Sequence, residues 1–525
     1  MLNAEAVLQP PMKKTNFTFQ QNQDLRSLAV FRILAGVYLM YDIVSRLEYG
    51  RFSLSWYTST ENSFLHPDDT PHRSPVHRIW FYRGGEALQL SLFAFTFLLS
   101  LSLAVGYKCN VITKTLLWLN VVAMQCRCMP PHDGSDTYFR NLLLWCIQLP
   151  VEKVWSIDAV RRTKIAQEER STSNTIIENR TAVWGIRLQM VLMYLGTVMK
   201  RTFDRYGYSI FESKWLPPQL TAVYYALSGS LATRECWLGD FVRSNLHVSQ
   251  FMTFTAMLME GFAPILCLVM GDNAHIPAFL LFKLHFGLLI LMNLPNWQIV
   301  GMISTTIWIP SWMWDRLHYK VALKFPQVVN LPRPSSPTSL EKKDMVVDNY
   351  DNTAKRRRRP YLSYFFFTYM IYDFAGNREW IRKIDSGDIG EFLRFSQYWV
   401  MFDGPPTTAS QVMLTGTLDG QEHINVWEWI KTNGRIETVD MKSFQLEIWT
   451  NFTHVYPSSR IERSFSQWGS SGNTADRSRH FLNSLCHIFP FEKLTLRTQY
   501  LKIQPPGGRE RYIRKRSDFV SEAVC

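Results

Sequence analysis

Residues 250–271, QFMTFTAMLMEGFAPILCLVMG, and 276–294, IPAFLLFKLHFGLLILMNL, decide how this chain is read. Each is an apolar block at least as long as the roughly 18 residues that mark a membrane-crossing helix. A third block, LQLSLFAFTFLLSLSLAVG at 88–106, repeats the pattern. Ionisable residues sit inside two of them: Glu260 in the first, Lys283 and His285 in the second. Charges at that depth are costly, so they mark a polar interior or a site.

Working outward, further blocks at 28–44, 112–124, 139–150, 183–199 and 297–315 read as spans. The aromatic stretch YLSYFFFTYMIYDFAG at 361–376 reads as one more. The segment WLPPQLTAVYYALSGSLA (215–232) stays open, since Pro217–Pro218 suggests a re-entrant or interfacial element. The expected fold is an all-α polytopic membrane bundle of about nine spans with a C-terminal extramembrane β-rich (α+β) domain. Its expected parts are a polar tail (1–27), the bundle (28–315), a basic disordered linker (316–360), the last span (361–376) and the outer domain (377–525).

A mean hydropathy of −0.11 is too low for a chain that is membrane throughout, which fits a polar C-terminal part. The net charge of +13 fits basic cytoplasmic loops better than nucleic-acid binding, and no nucleic-acid partner is expected. The 14% aromatic content suits interfacial belts. Lys and Arg bias places the N-terminus in the cytoplasm with Lys108, Lys114 and residues 151–182, and the Arg356–Arg359 run joins them if 215–232 does not span. Residues 377–525 then lie in the lumen or outside the cell, in an endomembrane such as the endoplasmic reticulum or in the plasma membrane. Asn451, in the sequon Asn451-Phe452-Thr453, falls on the glycosylated side, while Asn16 and Asn179 do not. The polar residues ahead of the first span fit a signal anchor.

In the outer part, Phe444, Leu446 and Ile448 alternate with Gln445 and Glu447, which is strand periodicity. Asp419-Gly420, between VMLTGTL and INVWEW, is a hairpin turn. Of eight cysteines, Cys126 and Cys128 form a CxC, but no second pair has zinc spacing, so no metal is expected. Cys146 and Cys267 read as core thiols, and a disulfide involving Cys109, Cys126, Cys128, Cys236 or Cys486 is left open.

Candidate polar residues follow from depth. Arg32, Asp42 and Arg46 lie in or beside the first span, and Asp42 and Arg46, four apart, share a face and can pair. His285 reads as a general acid or base, or more simply as a hydrogen bond to a neighbouring helix. Glu260 reads as a proton carrier or as a partner for Lys283. Lys200 follows the run VLMYLGTVM, where a lysine ordinarily snorkels to the interface. Turned into the bundle beside Arg201, it would lose hydration next to another cation, and both favour the neutral amine a base requires.

Several stretches resemble the HTTM family, which includes the vitamin K-dependent gamma-carboxylase. They are AVFRILAGVYLMYDIVSR (29–46), YFRNLLLWCIQLPVEKVWSIDA (138–159), MYLGTVMKRT (193–202) and LTAVYYALSG (220–229). KLHFGLLILMNLP with WIPSWMWDRL (283–317) and FSQYWVMFDGPP (395–406) complete the set. The resemblance covers nearly all of 25–430 and rests on the number and order of the motifs. It implies chemistry in which a membrane lysine deprotonates reduced vitamin K, which O2 then oxidises. The strong base so formed takes a proton from a glutamate γ-carbon, and CO2 adds to the carbanion. Lys200 is the best match to that lysine; in the neighbouring register Arg201 aligns instead, and an arginine stays protonated. His285 matches a histidine of the later helix, and Arg140, at the head of its helix, would orient the site with Glu260. The implied cofactor is reduced vitamin K or another quinone. The implied partners are membrane lipid and a glutamyl-containing protein substrate. The alternative is a non-catalytic membrane module that binds lipid or protein. A transporter would show inverted repeats, and no internal symmetry is visible.

Overall fold

The computed structural model describes residues 23–47, 57, 85–127, 134–162, 180–202, 213–229, 234, 236–292, 294–324, 361–383, 388–392, 408–432, 436, 475–487, 489–506 and 512–525. The bundle opens with α1 (Leu25–Arg46), whose N-cap Asp24 accepts from the Arg26 backbone N–H at 2.7 Å. Then come α2 (Glu86–Val105), α3 (Val111–Arg127), α4 (Gly134–Gln148) and α5 (Arg180–Thr202). Two short helices, α6 (Ala222–Gly229) and α7 (Trp237–Ser244), lead into the hairpin of α8 (Leu246–Val269) and α9 (His275–Leu291), closed by a 3-10 turn at Gly271–Asn273. After these come α10 (Pro295–Thr305), α11 (Ser311–Lys324) and α12 (Tyr361–Asn377). One apolar core runs through them, with Phe31, Leu142, Trp145, Ile186, Met190, Leu281 and Val300 nearly sealed from solvent.

Four described helices are long and apolar enough to cross a membrane: α1, α2, Thr181–Thr202 of α5, and α8. Two more, Val111–Gln125 and His275–Leu291, are apolar but shorter. Two expected elements differ, and the segment left open at 215–232 is helical in part. The block 297–315 is not one span: α10 ends at Thr305, a 3-10 turn covers Thr306–Trp308, and Pro310 precedes α11. Proline lacks the N–H a continuous helix needs. Among the described residues of 215–232, only Ala222–Gly229 is helical, about 12 Å of rise against a hydrocarbon core of about 30 Å. The first residues of the expected linker, 316–324, continue α11, while the Arg356–Arg359 run lies outside the described residues.

The α2 helix ends at Gly106, in the left-handed region at φ 66°, where the N–H groups of Gly106 and Tyr107 bond back to the Leu103 and Ser102 carbonyls. A Cβ at Gly106 would overlap Arg32 Nη1 and Ser156 Cβ, so sterics and backbone both select glycine here. Arg32 itself donates from Nη1 to Leu103 O at 3.1 Å and from Nη2 to Trp155 O at 2.6 Å. A cation on the carbonyl end of α2 complements the helix dipole. That makes Arg32 a joint between helices, apart from Asp42 and Arg46.

Beyond the bundle, α13 (Ile389–Phe392) precedes an antiparallel sheet of β1 (Thr408–Leu418), β2 (Gln421–Asn425), β3 (Lys493–Ile503) and β4 (Tyr512–Val524), in the order β2-β1-β3-β4. The expected hairpin forms: Leu418 pairs with Gln421, with Asp419 at φ 51° and Gly420 at φ 73°. The second strand is shorter than INVWEW, because Asn425 caps α14 (Val426–Lys431), accepting from the Trp427 and Glu428 N–H groups at 3.1 and 3.3 Å. Cys486, closing α15 (Ala475–Cys486), is disulfide-bonded to Cys525 just after β4. The 444–448 strand, Cys128 and all three sequons, Asn451 included, lie outside the described residues.

The sheet and α15 share a core with one end of the bundle. Leu414, Phe481, Leu485, Leu494 and Leu496 pack in one cluster with Ile43, Tyr57, Phe93 and Met124. Tyr57 meets Phe93 edge-on at 4.8 Å. The loop after β3 reaches the bundle too, where Tyr224 donates its hydroxyl to the Gln504 carbonyl at 3.0 Å.

Candidate functional site

Residues Tyr194, Thr197 and Arg201 lie three and four apart on α5 and so share a face. Opposite them stand Glu260 of α8 and His285 of α9. These two are about equally far from the Gly271–Asn273 turn, so they sit at one level. Tyr194 Oη and His285 Nε2 are hydrogen-bonded. His285 is 1% exposed. Its ring lies against the backbone of Gly301 on α10, where a Cβ would overlap it. Trp297 is 6.3 Å from the same ring, and Tyr138 of α4 is 6.0 Å from Trp297.

Two buried groups here have no hydrogen-bond partner among the described residues. One is Nδ1 of His285; the other is the whole side-chain amide of Gln298. Gln298 is three residues before Gly301, on the same face of α10. Buried polar groups are nearly always satisfied, so this pair calls for a ligand or water with both donor and acceptor character.

Nearly two turns further along α5 than Tyr194, Arg201 pairs with Glu260 and lays its guanidinium 3.9 Å above the Trp215 ring. Glu260 is therefore held by Arg201, not by Lys283. The cause is helical geometry: Lys283 and His285 are two apart and point to opposite sides, so an inward His285 turns Lys283 outward. Lys283 is exposed, with Nζ 4.8 Å from the Phe279 ring centre. Lys200 turns in rather than snorkelling, with 5% exposure. It lies six residues past Tyr194, about 9 Å along the helix, and His285 bonds to Tyr194 rather than to Lys200. Lys214, outside the spanning segments, sits with Nζ 4.4 Å from the Tyr225 ring centre, and burial holds its ammonium below the ordinary 10.5.

A second polar centre occupies the end of the bundle nearest the sheet. Arg46 donates from Nε to Asp42 at 2.9 Å and from Nη2 to Asp136 of α4 at 2.7 Å. Gln125 of α3 donates to the same Asp136 oxygen at 3.1 Å and accepts from Arg140 Nη1 at 2.9 Å. All five residues are buried. Two carboxylates face two guanidiniums, so charge balances, as burial demands. The expected Asp42–Arg46 pair is thus part of a larger unit, and Arg140 belongs to that unit rather than to the Lys200–His285 centre.

The sequence alone did not single out Tyr194, Trp215, Lys214, Gln298, Gln125 or Asp136. Of these, Gln298 carried a usable signal, an amide inside an apolar block. Among the described residues no group of three or more His, Cys, Asp or Glu side chains is placed to hold a metal ion. Comparison with protein-family models, with curated proteins and with solved structures gave no match.

Proposed function

We propose that the chain is a multi-pass membrane protein of the HTTM type that abstracts protons with the help of a bound quinol and carboxylates glutamyl side chains. The observation that carries this reading is the pair of buried contacts Tyr194–His285 and Arg201–Glu260 on the helix whose Lys200 is buried as well. The residues fit a quinone-type ring: His285 Nδ1 and the Gln298 amide are free to meet its oxygens, and Trp297 and Tyr138 offer aromatic walls. When bound, reduced vitamin K or a related quinol would supply, with O2, the strong base that the γ-carbon requires. Lys200 Nζ takes the first proton. Tyr194 fixes the His285 ring, and Glu260 holds Arg201 so that its charge faces the site without competing as a base.

In this reading α3, α9 and α12 also lie in the membrane, approaching the nine spans expected. The N-terminus is cytoplasmic and the sheet domain luminal or extracellular, where it would present a glutamyl-containing protein and carry a glycan on Asn451. The Cys486–Cys525 disulfide supports an oxidising side for that domain.

The test is incorporation of labelled CO2 into a glutamyl peptide by membranes holding the full chain, with and without reduced vitamin K. Quinol-dependent incorporation should appear and fall by about 10²–10⁴-fold in Lys200→Ala, the usual range for losing a general base. Incorporation retained by Lys200→Ala would remove that residue from the role. No incorporation by folded protein would move the reading to a non-catalytic module that binds lipid or protein. That second reading is favoured by the Asp42–Arg46–Asp136 centre, whose charges are already closed on one another.

A further inference from the structure

On its outward side α9 shows Ile276, Phe279, Lys283, Phe286 and Ile290, all exposed. Their spacing alternates three and four, which is the seam along which one helix packs against another. Lys283 is the middle residue of that seam and of the helix. It lies about as far from the Gly271–Asn273 turn as Glu260 does on α8, so it stands at mid-depth beside a helix long enough to span. No carboxylate meets it among the described residues; its ammonium rests on Phe279. One turn on, at Gly287, a Cβ would meet nothing within 4 Å. A glycine with open space before it lets another backbone approach closely, as at membrane helix contacts.

We propose that this face of α9 docks a transmembrane helix of another membrane protein, one that carries an aspartate or glutamate at mid-depth opposite Lys283. The proposal rests on the membrane reading above. Three features specify the partner: an apolar seam, one unpaired cation in its centre, and a gap beside that cation. A lysine at a single seam position sets register and partner choice. Facing lipid alone, it is costly; facing a carboxylate, it is paired.

A second copy of this chain does not fit. Among the described residues, the acids within the membrane helices all turn inward. Asp42 and Asp136 meet Arg46, Glu260 meets Arg201, and Asp373 of α12 meets Lys383 at 2.7 Å. Glu86 and Asp240 lie in the first turns of their helices, and Asp315 pairs with Arg26 at 2.7 Å. None could reach Lys283 of a neighbour at mid-depth.

The test reconstitutes the full chain in phosphatidylcholine vesicles with a fluorescent leucine–alanine helix of roughly 20 residues carrying one central glutamate. Energy transfer reports association. The glutamate helix should bind at least about tenfold more tightly than its central-leucine twin, a gap within reach of a desolvated charge pair. Lys283→Leu should erase the difference, and Lys283→Glu should transfer the preference to a central-lysine helix. Gly287→Leu should weaken binding of the glutamate helix. Equal binding of the glutamate and leucine helices would overturn the proposal and leave Lys283 snorkelling to headgroups. Failure of the chain to float with the vesicles would instead overturn the membrane reading, and the proposal with it.

Discussion

Arg46→Leu should destabilise the folded protein by about 3–5 kcal/mol, the usual cost of removing one partner from a buried ion pair. The guanidinium is shared, so its loss strips its charge partner from Asp42 and Asp136 together, both buried where water cannot compensate. The check is reversible denaturation in detergent, with Asp315→Ala as the control. Asp315 is 68% exposed, so its pair with Arg26 should contribute only about 0–1 kcal/mol. The double variant Arg46→Leu, Asp42→Asn should recover part of the loss, because it leaves one carboxylate, Asp136, against Arg140 and the buried charges balance again. Equal destabilisation by Arg46→Leu and Asp315→Ala would mean that water reaches the cluster.

Gly301→Ala should break the contact between His285 and Tyr194. The new Cβ would overlap His285 ring atoms, and the ring is nearly sealed, so it must rotate or α10 must withdraw. Overpacking of this kind costs about 1–3 kcal/mol. A ring displaced by an ångström would lower turnover on the order of 10²-fold if His285 orients the reacting group. Gly287→Ala is the control: its Cβ would face open space, so turnover should stay unchanged and stability should rise by up to about 1 kcal/mol, the helical preference for alanine over glycine. Adding His285→Ala to Gly301→Ala removes the clash, so stability should rise relative to Gly301→Ala while activity stays low. A histidine-labelled NMR spectrum of Gly301→Ala reads the ring directly, independent of any assay. An unshifted His285 resonance would refute the steric argument.

Much of the helical layout could be read from the chain because apolar runs report helix position well. The blocks at 28–44, 88–106, 183–199 and 250–271 each fall inside a helix or within a residue or two of its end. The 297–315 block misled because hydropathy does not register a 3-10 turn followed by Pro310. Pairing was legible only when local. Asp42 and Arg46 are one turn apart, whereas Asp136 is 90 positions from Arg46 and nothing in either local sequence links them. Glu260 was legible as a proton carrier or as a partner for Lys283, and helix phase paired it with Arg201 instead of Lys283. Lys200 was legible as a choice between two orientations, and only packing selected the inward one. In the outer domain the Asp-Gly turn was clear, but the Asn425 cap cut the following strand short.

The shared core between the sheet and the bundle also sets a schedule for maturation. Phe93 and Met124 are made early, yet Leu494 and Leu496, which pack with them, emerge about 400 residues later. At ribosomal speed that is a wait of roughly 20–80 s. Throughout it, the rim that carries Phe93 and Met124 lacks its cover of sheet residues. The Cys486–Cys525 bond, which ties α15 to the residue after β4, can form only once β4 has been made. A chain stalled before β3 would leave that rim without its cover.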